Sequence, residues 1–274
     1  IEIFFFVSCV SLLTFFLITL SNVNRPDAGL YHLPYTSILN DSKIIIGSSN
    51  IHFRFGHTSI IQYLSAIYNN FFFKIEFITV PLASIFSFFI FFISKKFFAH
   101  LKKKTDEKIF IYFILIIFSF YAFNRYSNYG NDTPVHLYFF FLIILFTEIK
   151  SLKKIDLHEF YNLVIVSIFL LSLKPFLVLT LLLPFTIFLI NKKKIYLIKK
   201  KQFYLSLSLI FLLFLKNILI SGCMIFPINK TCFKSLKHFD ETNTLFASNE
   251  AEAWAKGLPD SKKNYSSFEE YSTG

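Results

Sequence analysis

Residues 3–20 read IFFFVSCVSLLTFFLITL, an apolar run without a charged residue that is long enough to cross a bilayer as an α-helix. Further along, residues 109–123 read IFIYFILIIFSFYAF and lack the polar–apolar alternation of a membrane β-barrel strand. Of the 274 residues, 54% are hydrophobic and 40 are phenylalanine, well above the usual content of a soluble domain. The sequence therefore predicts an all-α, polytopic transmembrane protein.

The number of crossings depends on the apolar stretch 161–190, which is interrupted by Lys174-Pro175. This stretch either crosses once as a kinked helix or turns at Lys174-Pro175 and crosses twice. Two crossings place all the lysine-rich loops on one side of the membrane, as the positive-inside rule requires. With the runs 75–93, 134–149 and 203–220, the sequence then predicts about seven crossings, and a large first extracytoplasmic loop at 24–74.

The charge and the cysteines fit this topology. The net charge of +11 comes mostly from lysines in short loops between apolar runs, so it predicts contacts with membrane lipids and no nucleic-acid partner.

The run 3–20 lacks a basic N-terminal region and a small-residue cleavage site, and we interpret it as an anchor. We predict a transmembrane domain at 1–220 and an extracytoplasmic tail at 221–274, the start of a further C-terminal region. In that tail, Cys223 and Cys232 form either a disulfide or two unpaired thiols.

Ionisable residues are concentrated in the segment 24–59, which reads NRPDAGLYHLPYTSILNDSKIIIGSSNIHFRFGHTS. Its DAGLYHL at 27–33, followed by Gly47, Asn50, His52, Arg54 and Gly56, resembles the first-loop motif of a bacterial membrane-protein family known by the label of its Leptospira member. That family looks like a branch of the GT-C superfamily of integral-membrane glycosyltransferases. The segments 221–227 and 252–256 are similar to later parts of the family pattern, whereas Ala28 replaces a small hydroxyl residue.

The resemblance implies a GT-C-like fold and a glycosyltransferase in the bacterial inner membrane, with its active face outside. Such an enzyme moves a sugar from a polyprenyl-phosphate-linked donor to an envelope glycan or lipid acceptor. In the superfamily, an acidic residue of the first outer loop acts as general base or metal ligand, which here implies Asp27. A second acidic residue from the next outer loop implies Asp132. No cofactor is certain, and a divalent cation, Mg²⁺ or Mn²⁺, stays open.

The leaving phosphate of this reaction needs cationic groups or hydrogen-bond donors. The candidates for contacts with the substrates are Arg25, Tyr31, His32, His52, Arg54, His57 and Lys174. Structural explanations stay open for each of them. Asp27 and Asp132 could be helix N-caps, Arg54 an interfacial anchor, and Lys174 the mark of a turn, while the histidines and Tyr31 could simply pack. No His or Cys cluster has zinc spacing, so no metal site is predicted.

Two other functions fit a polytopic membrane protein. A lipid-linked polysaccharide polymerase predicts arginine-rich outer loops, and the outer arginines here are Arg25, Arg54 and Arg125. A transporter or flippase for lipid-linked glycans predicts ionisable residues within the spans and repeated halves. The first four spans carry almost no such residues between their ends, and no internal repeat is apparent. Both therefore stay alternatives to the glycosyltransferase.

Overall fold

A computed structural model describes residues 2–20, 27–42, 44–69, 72–73, 75–101, 108–150, 156–190 and 200–256. These residues form helices and connecting turns without a β-strand, apart from one isolated antiparallel bridge between Cys223 and Cys232. The all-α prediction is therefore confirmed for the described part of the chain.

The helices follow the apolar runs of the sequence. The α-helices are α1 (Glu2–Thr19), α2 (Leu33–Asp41), α3 (Ile60–Ile67), α4 (Val80–Leu101), α5 (Lys108–Tyr121), α6 (Phe123–Tyr126), α7 (Asp132–Lys150), α8 (Leu157–Leu173), α9 (Leu182–Ile190), α10 (Lys201–Ser221) and α11 (Glu241–Lys256). Short 3-10 segments are Ser48–Asn50, Phe53–Gly56, Ile75–Thr79, Pro175–Leu181 and Asn229–Thr231, and Ala28–His32 is a π-helical turn.

Among the residues that the structure describes, four helical segments are long and apolar enough to cross a membrane, namely Glu2–Thr19, Phe77–Leu101, Asp132–Lys150 and Lys201–Ser221. They coincide with the runs predicted at 3–20, 75–93, 134–149 and 203–220. The other predicted crossings fall on the shorter apolar helices Lys108–Tyr121, Leu157–Leu173 and Pro175–Ile190. A membrane protein is thus supported by four spans, while seven crossings stay a prediction.

The stretch 161–190 is not one continuous helix. Helix α8 ends at Leu173, immediately before Lys174-Pro175, and the 3-10 segment Pro175–Leu181 leads into α9. Proline disfavours helical geometry at the residue before it, which explains the break at Lys174. Helices α8 and α9 pack against each other.

The chain divides into two units. Unit 1 comprises Ile1–Ser42, Ser59–Leu173 and Thr180–Lys192, and unit 2 comprises Lys43–Thr58, Lys174–Leu179 and Lys193–Gly274. The predicted first outer loop is therefore shared between the units and contains α2 and α3. The tail after residue 220 belongs to unit 2, together with the Lys43–Thr58 segment.

Unit 1 is held together by apolar packing with a few polar contacts between helices. Helix α1 packs along α4, where the Ser11 hydroxyl donates to the Ser87 carbonyl at 2.7 Å. Small polar residues of this kind allow membrane helices to approach closely. At the other end of α4, Lys96 Nζ contacts the two Glu148 carboxylate oxygens at 2.7 and 2.9 Å, and the Tyr112 hydroxyl donates to the same carboxylate at 3.0 Å. These contacts join α4, α5 and α7.

Unit 2 is built around the C-terminal end of α10. Gly222 ends this helix in the left-handed conformation, with φ +78°, which glycine adopts without strain. The Gly47 amide donates to the Leu219 carbonyl at 2.9 Å, and the Ser49 hydroxyl donates to the Ile220 carbonyl at 3.1 Å. The carbonyls at the helix end, which have no partner within the helix, are thereby satisfied.

A disulfide joins Cys223 to Cys232 directly after α10. Of the two alternatives that the cysteine spacing allowed, the structure contains the bonded one. The disulfide closes a turn that carries Phe226, and the Phe226 ring is buried in a cluster with Cys223 and Ala247 of α11.

Candidate functional sites

Unit 1 contains a buried polar cluster, the His32 centre, formed by His32, Thr36, Gln62, Tyr129 and Gly130. His32 is only 5% exposed, and its Nδ1 lies 3.2 Å from Gln62 Nε2. The Thr36 hydroxyl donates to the His32 carbonyl at 2.8 Å and lies 3.2 Å from the Tyr129 hydroxyl. Burial raises the pKa of Tyr129 above its ordinary value. The side chains of Thr36, Gln62 and Tyr129 are therefore neutral members of a hydrogen-bond network.

The loop before α7 lies on the other side of the His32 ring. A Cβ added at Gly130 would lie 3.7 Å from His32 Nε2, so the loop backbone passes next to this nitrogen. On either side of Gly130, the Oδ1 atoms of Asn128 and Asn131 are buried acceptors without a hydrogen-bond donor among the described residues. Buried acceptors of this kind favour a donor ligand such as a hydroxyl group. The loop beside His32 thus contains two buried acceptor oxygens without a donor among the described residues.

The two predicted carboxylates also belong to unit 1. Asp27 directly precedes the π-helical turn, where its side chain is exposed and makes no capping hydrogen bond. This observation does not support the N-cap alternative for Asp27. Asp132 is exposed in the first turn of α7, where a negative charge interacts favourably with the helix dipole. A structural role and a functional role are both compatible with the position of Asp132.

Unit 2 contains a charged cluster, the Arg54 centre, formed by His52, Arg54, His57, Lys174 and Glu250. The Arg54 guanidinium forms an ion pair with Glu250 of α11 and lies 5.4 Å from the centroid of the Phe53 ring. His52 precedes this 3-10 turn and accepts the Arg54 amide hydrogen on Nδ1 at 3.2 Å, while its ring stacks on Phe53. Arg54 is thus held by a carboxylate and an aromatic ring.

The pKa of His57 is lowered by its surroundings in this centre. Burial, with a smaller contribution from the positive charges of Lys174 and Arg54, lowers its pKa to about 4. The ring packs edge-on against Phe226, with centroids 5.1 Å apart. For His52, burial and the Arg54 charge lower the pKa, and the Glu250 charge opposes them. The positive charges of Lys174 and Arg54 therefore both act on a His57 side chain that burial keeps neutral.

The sequence-predicted site residues separate into two groups. Asp27, Tyr31, His32 and Asp132 belong to unit 1, and the Tyr31 ring lies 4.2 Å from the His32 ring. His52, Arg54, His57 and Lys174 belong to unit 2 and share the Arg54 centre. Arg25 lies outside the described residues. Each unit thus has its own candidate site, one neutral and one charged.

Sequence reasoning did not predict Thr36, Gln62, Tyr129 and Gly130 in the His32 centre, or Glu250 in the Arg54 centre. Gln62 contacts His32, and the signal for it was present, since Ser59 followed by Gln62 matches the capping-box pattern at a helix start. Glu250 pairs with Arg54 across 196 positions of sequence, and no local pattern predicts that pairing. No group of three or more His, Cys, Asp or Glu side chains in the described ranges could hold a metal ion.

The fold and the two centres define a class, namely an all-α protein with several membrane-length apolar helices and polar clusters outside them. Its family follows from comparison with family models. The model for Domain of unknown function (DUF8201) matches residues 1–272, and the chain belongs to this family. No curated protein and no solved structure matches the chain.

Proposed function

We propose that this protein is an integral-membrane glycosyltransferase of GT-C type in a bacterial inner membrane, with about seven crossings and an extracytoplasmic active face. It transfers a sugar from a polyprenyl-phosphate-linked donor to an envelope glycan or lipid acceptor. The observation that carries the proposal is the Arg54 centre, where Arg54 and Lys174 both act on His57. Three residues that the chemistry of a phosphate leaving group predicts are thus brought together.

The Arg54 centre has the chemistry that a lipid phosphate requires. A guanidinium binds phosphate through two parallel hydrogen bonds, and an ammonium adds a second positive charge. Phosphate would exchange with the Glu250 carboxylate as the anionic partner of Arg54. In the same unit, apolar side chains on α10 such as Phe211 and Leu212 are more than half exposed and suit a polyprenyl chain. The unit therefore combines an anion site with lipid-compatible surface.

The proposed orientation of the protein in the membrane rests on the disulfide. Disulfides persist in oxidising compartments, so the Cys223–Cys232 pair supports an extracytoplasmic position for the end of α10. The lysine-rich loops then face the cytoplasm, in agreement with the positive-inside rule.

The reaction needs a base as well as an anion site. We assign this role to Asp27, whose exposed carboxylate is open to an acceptor. The acceptor hydroxyl oxygen bonds to the anomeric carbon, the bond from that carbon to the phosphate oxygen breaks, and the hydroxyl proton passes to Asp27. The polyprenyl phosphate leaves with the bonding electron pair. Asp132 is the second carboxylate of the proposal, and Mg²⁺ or Mn²⁺ is its candidate partner.

A genetic experiment tests the function. Envelope glycans are compared between a deletion strain and strains complemented with wild type, Asp27→Asn, Arg54→Gln or Lys234→Gln at matched membrane levels. Lys234 is the control because its ion pair with Glu241 is exposed and belongs to the same unit. We expect the same sugar to be missing from the deletion and from the Asp27 and Arg54 variants, with a normal profile for Lys234→Gln. An unchanged glycan profile in the deletion strain would contradict the proposal.

A binding experiment tests the anion site directly. Purified protein in lipid nanodiscs is titrated with a polyprenyl phosphate and with the corresponding polyprenol, which lacks the phosphate. Because a hydrogen bond to a charged group contributes about 1.5–3 kcal/mol, Arg54→Gln should weaken phosphate binding about tenfold or more. Binding of the polyprenol should be weak and insensitive to the substitution. Equal affinity for the two lipids would refute the assignment.

The transporter alternative has one supporting observation. Lys96 and Glu148 form an ion pair between two membrane-length helical segments, and ionisable residues at such positions mark transport pathways in other proteins. A transport function requires a sealed membrane, whereas sugar transfer does not. Transfer of a labelled sugar by the detergent-solubilised protein would therefore support the enzyme, and activity confined to sealed proteoliposomes would support the transporter.

A further inference from the structure

The hydrogen bonds of Gln62 determine the protonation pattern of His32. The Ser59 backbone N–H donates to Gln62 Oε1 at 3.0 Å, at the start of α3. A backbone N–H can only donate, so the Gln62 atom that faces it must be the carbonyl oxygen. The amino group of the same side chain then faces His32 Nδ1, at 3.2 Å. The orientation of the Gln62 amide is thus fixed by a backbone group.

The same logic extends to the imidazole. An amide NH₂ group can only donate, so His32 Nδ1 must accept. In a neutral imidazole the proton then resides on Nε2, the nitrogen next to Gly130. Both Gln62 and His32 are at least nine-tenths buried, so water does not compete freely for these hydrogen bonds.

We infer that Gln62 is a positioning residue that holds His32 as the neutral Nε2–H tautomer and makes it a hydrogen-bond donor toward the Asn128–Asp132 loop. His32 in this state cannot accept a proton on Nε2, and its Nδ1 is occupied by Gln62. Proton abstraction is therefore assigned to a carboxylate, while His32 donates to an oxygen of the sugar donor or acceptor. The role of His32 toward substrate rests on the proposed function, whereas the tautomer does not.

The tautomer can be measured by ¹⁵N NMR of the full-length protein in lipid bilayers, with ¹⁵N-labelled histidine rings. The His32 signals are identified by their loss in His32→Asn. We expect one unprotonated nitrogen, Nδ1, and one protonated nitrogen, Nε2, in the wild type. In Gln62→Glu the carboxylate keeps the Ser59 contact through one oxygen and places the other, an acceptor, at Nδ1. Nδ1 should then become protonated.

The matched control is Gln202→Glu, the same chemical change at an exposed position of α10. It should leave the His32 signals unchanged. A wild-type spectrum with the proton on Nδ1 would overturn the inference, as would a Gln62→Glu spectrum identical to that of the wild type. If Gln62→Glu fails to fold, the wild-type spectrum alone still decides the tautomer.

Glycan analysis separates this inference from the function that it refines. If His32→Asn and Gln62→Glu both lose the sugar and the tautomer is Nε2–H, the inference and the function are both supported. A normal glycan profile in the His32 variant, together with the Nε2–H tautomer, would remove His32 from the substrate site and leave the role of Gln62 as positioning residue intact. The Nδ1–H tautomer would overturn the role of Gln62 while leaving the glycan result independent.

Discussion

The two centres satisfy their polar groups in opposite ways. The His32 centre is neutral, and two of its hydrogen bonds are local. The Thr36 hydroxyl donates to the His32 carbonyl, and Gln62 Oε1 accepts from the Ser59 N–H. The contacts of Gln62 with His32 and of Thr36 with Tyr129 join residues 30 and 93 positions apart. The Arg54 centre is charged, and its members come from distant parts of unit 2. A buried neutral group needs only a hydrogen-bond partner, whereas a buried charge needs an opposite charge. Local sequence can therefore encode part of the first centre, whereas the ion pair of the second is assembled only by the tertiary fold.

This difference has consequences for the response to conditions. Charges interact over distance and are weakened by salt, whereas short neutral hydrogen bonds are little affected. The Arg54 centre should accordingly respond to pH and ionic strength, and the His32 centre should not. Each of the following experiments perturbs one centre, or the unit that contains it, and compares the result with a control.

The largest expected effect is an acid sensitivity caused by His57. Its pKa is about 4 in the folded protein, below the ordinary value of 6.5 that we assume for the unfolded chain, so the unfolded state binds more protons between these values. The stabilisation is complete above pH 6.5 and is lost as the pH falls toward 4, by about 3 kcal/mol in total. We expect His57→Asn to lose less thermal stability over this window than the wild type does.

The control for His57 is His158→Asn, because His158 is exposed at the start of α8 in unit 1. Its stability profile should run parallel to that of the wild type. Thermal unfolding in detergent at several pH values measures both. Parallel profiles for the His57 variant and the wild type would show that the folded protein does not hold the pKa of His57 below its ordinary value.

A steric change should break unit 2 selectively. A Cβ at Gly56 would lie 2.5 Å from the Phe226 ring, so alanine forces the ring or the backbone to move. Overpacking of this kind costs about 1–3 kcal/mol. At Gly29 in unit 1 a Cβ meets no atom within 4 Å, and Gly29→Ala should be close to neutral. The two variants are compared by thermal unfolding. Equal melting temperatures would show that the Phe226 ring moves aside without a loss of stability.

The spans and the helix break were predictable because both depend on local sequence. The run predicted at 134–149 corresponds to α7 (Asp132–Lys150), and the proline after Lys174 marks the end of α8. The Ser59–Gln62 capping pattern was equally local, and it marks the start of α3 (Ile60–Ile67). The sequence thus contained more of the His32 centre than was extracted from it.

The Arg54 centre was predictable only in part. The residue types Arg54, His57 and Lys174 indicated an anion site, but their proximity depends on how Lys174–Leu179 packs within unit 2. The partner Glu250 is 196 residues away in the sequence, and no local sequence pattern predicts a contact between residues so far apart. The disulfide was also predictable only in part. The spacing of Cys223 and Cys232 allows a bond, but the turn after Gly222 is what brings the two cysteines together.

A smaller change tests the neutral centre. Tyr129→Phe removes a buried hydroxyl that lies 3.2 Å from the Thr36 hydroxyl, and such a hydrogen bond contributes about 1 kcal/mol. Tyr121→Phe is the control, because Tyr121 is 87% exposed at the end of α5. We expect a lower melting temperature for the Tyr129 variant alone, and the same difference at low and high salt. A salt-dependent difference would mean that this centre is not neutral.

The smallest expected effect is a change in ligand affinity, and the direction of this change distinguishes the two centres. In the His32 centre, removal of a partner can only weaken the network, but in the Arg54 centre Glu250 competes with an anionic ligand for the same guanidinium. Glu250→Gln should cost less than about 1 kcal/mol of stability and tighten binding of a polyprenyl phosphate up to about fivefold. Glu241→Gln, the same change in an exposed ion pair of unit 2, should leave the affinity unchanged. Weaker binding after Glu250→Gln would instead mean that the carboxylate holds Arg54 in its binding position, and the charged centre would then depend on its internal partners as the neutral one does.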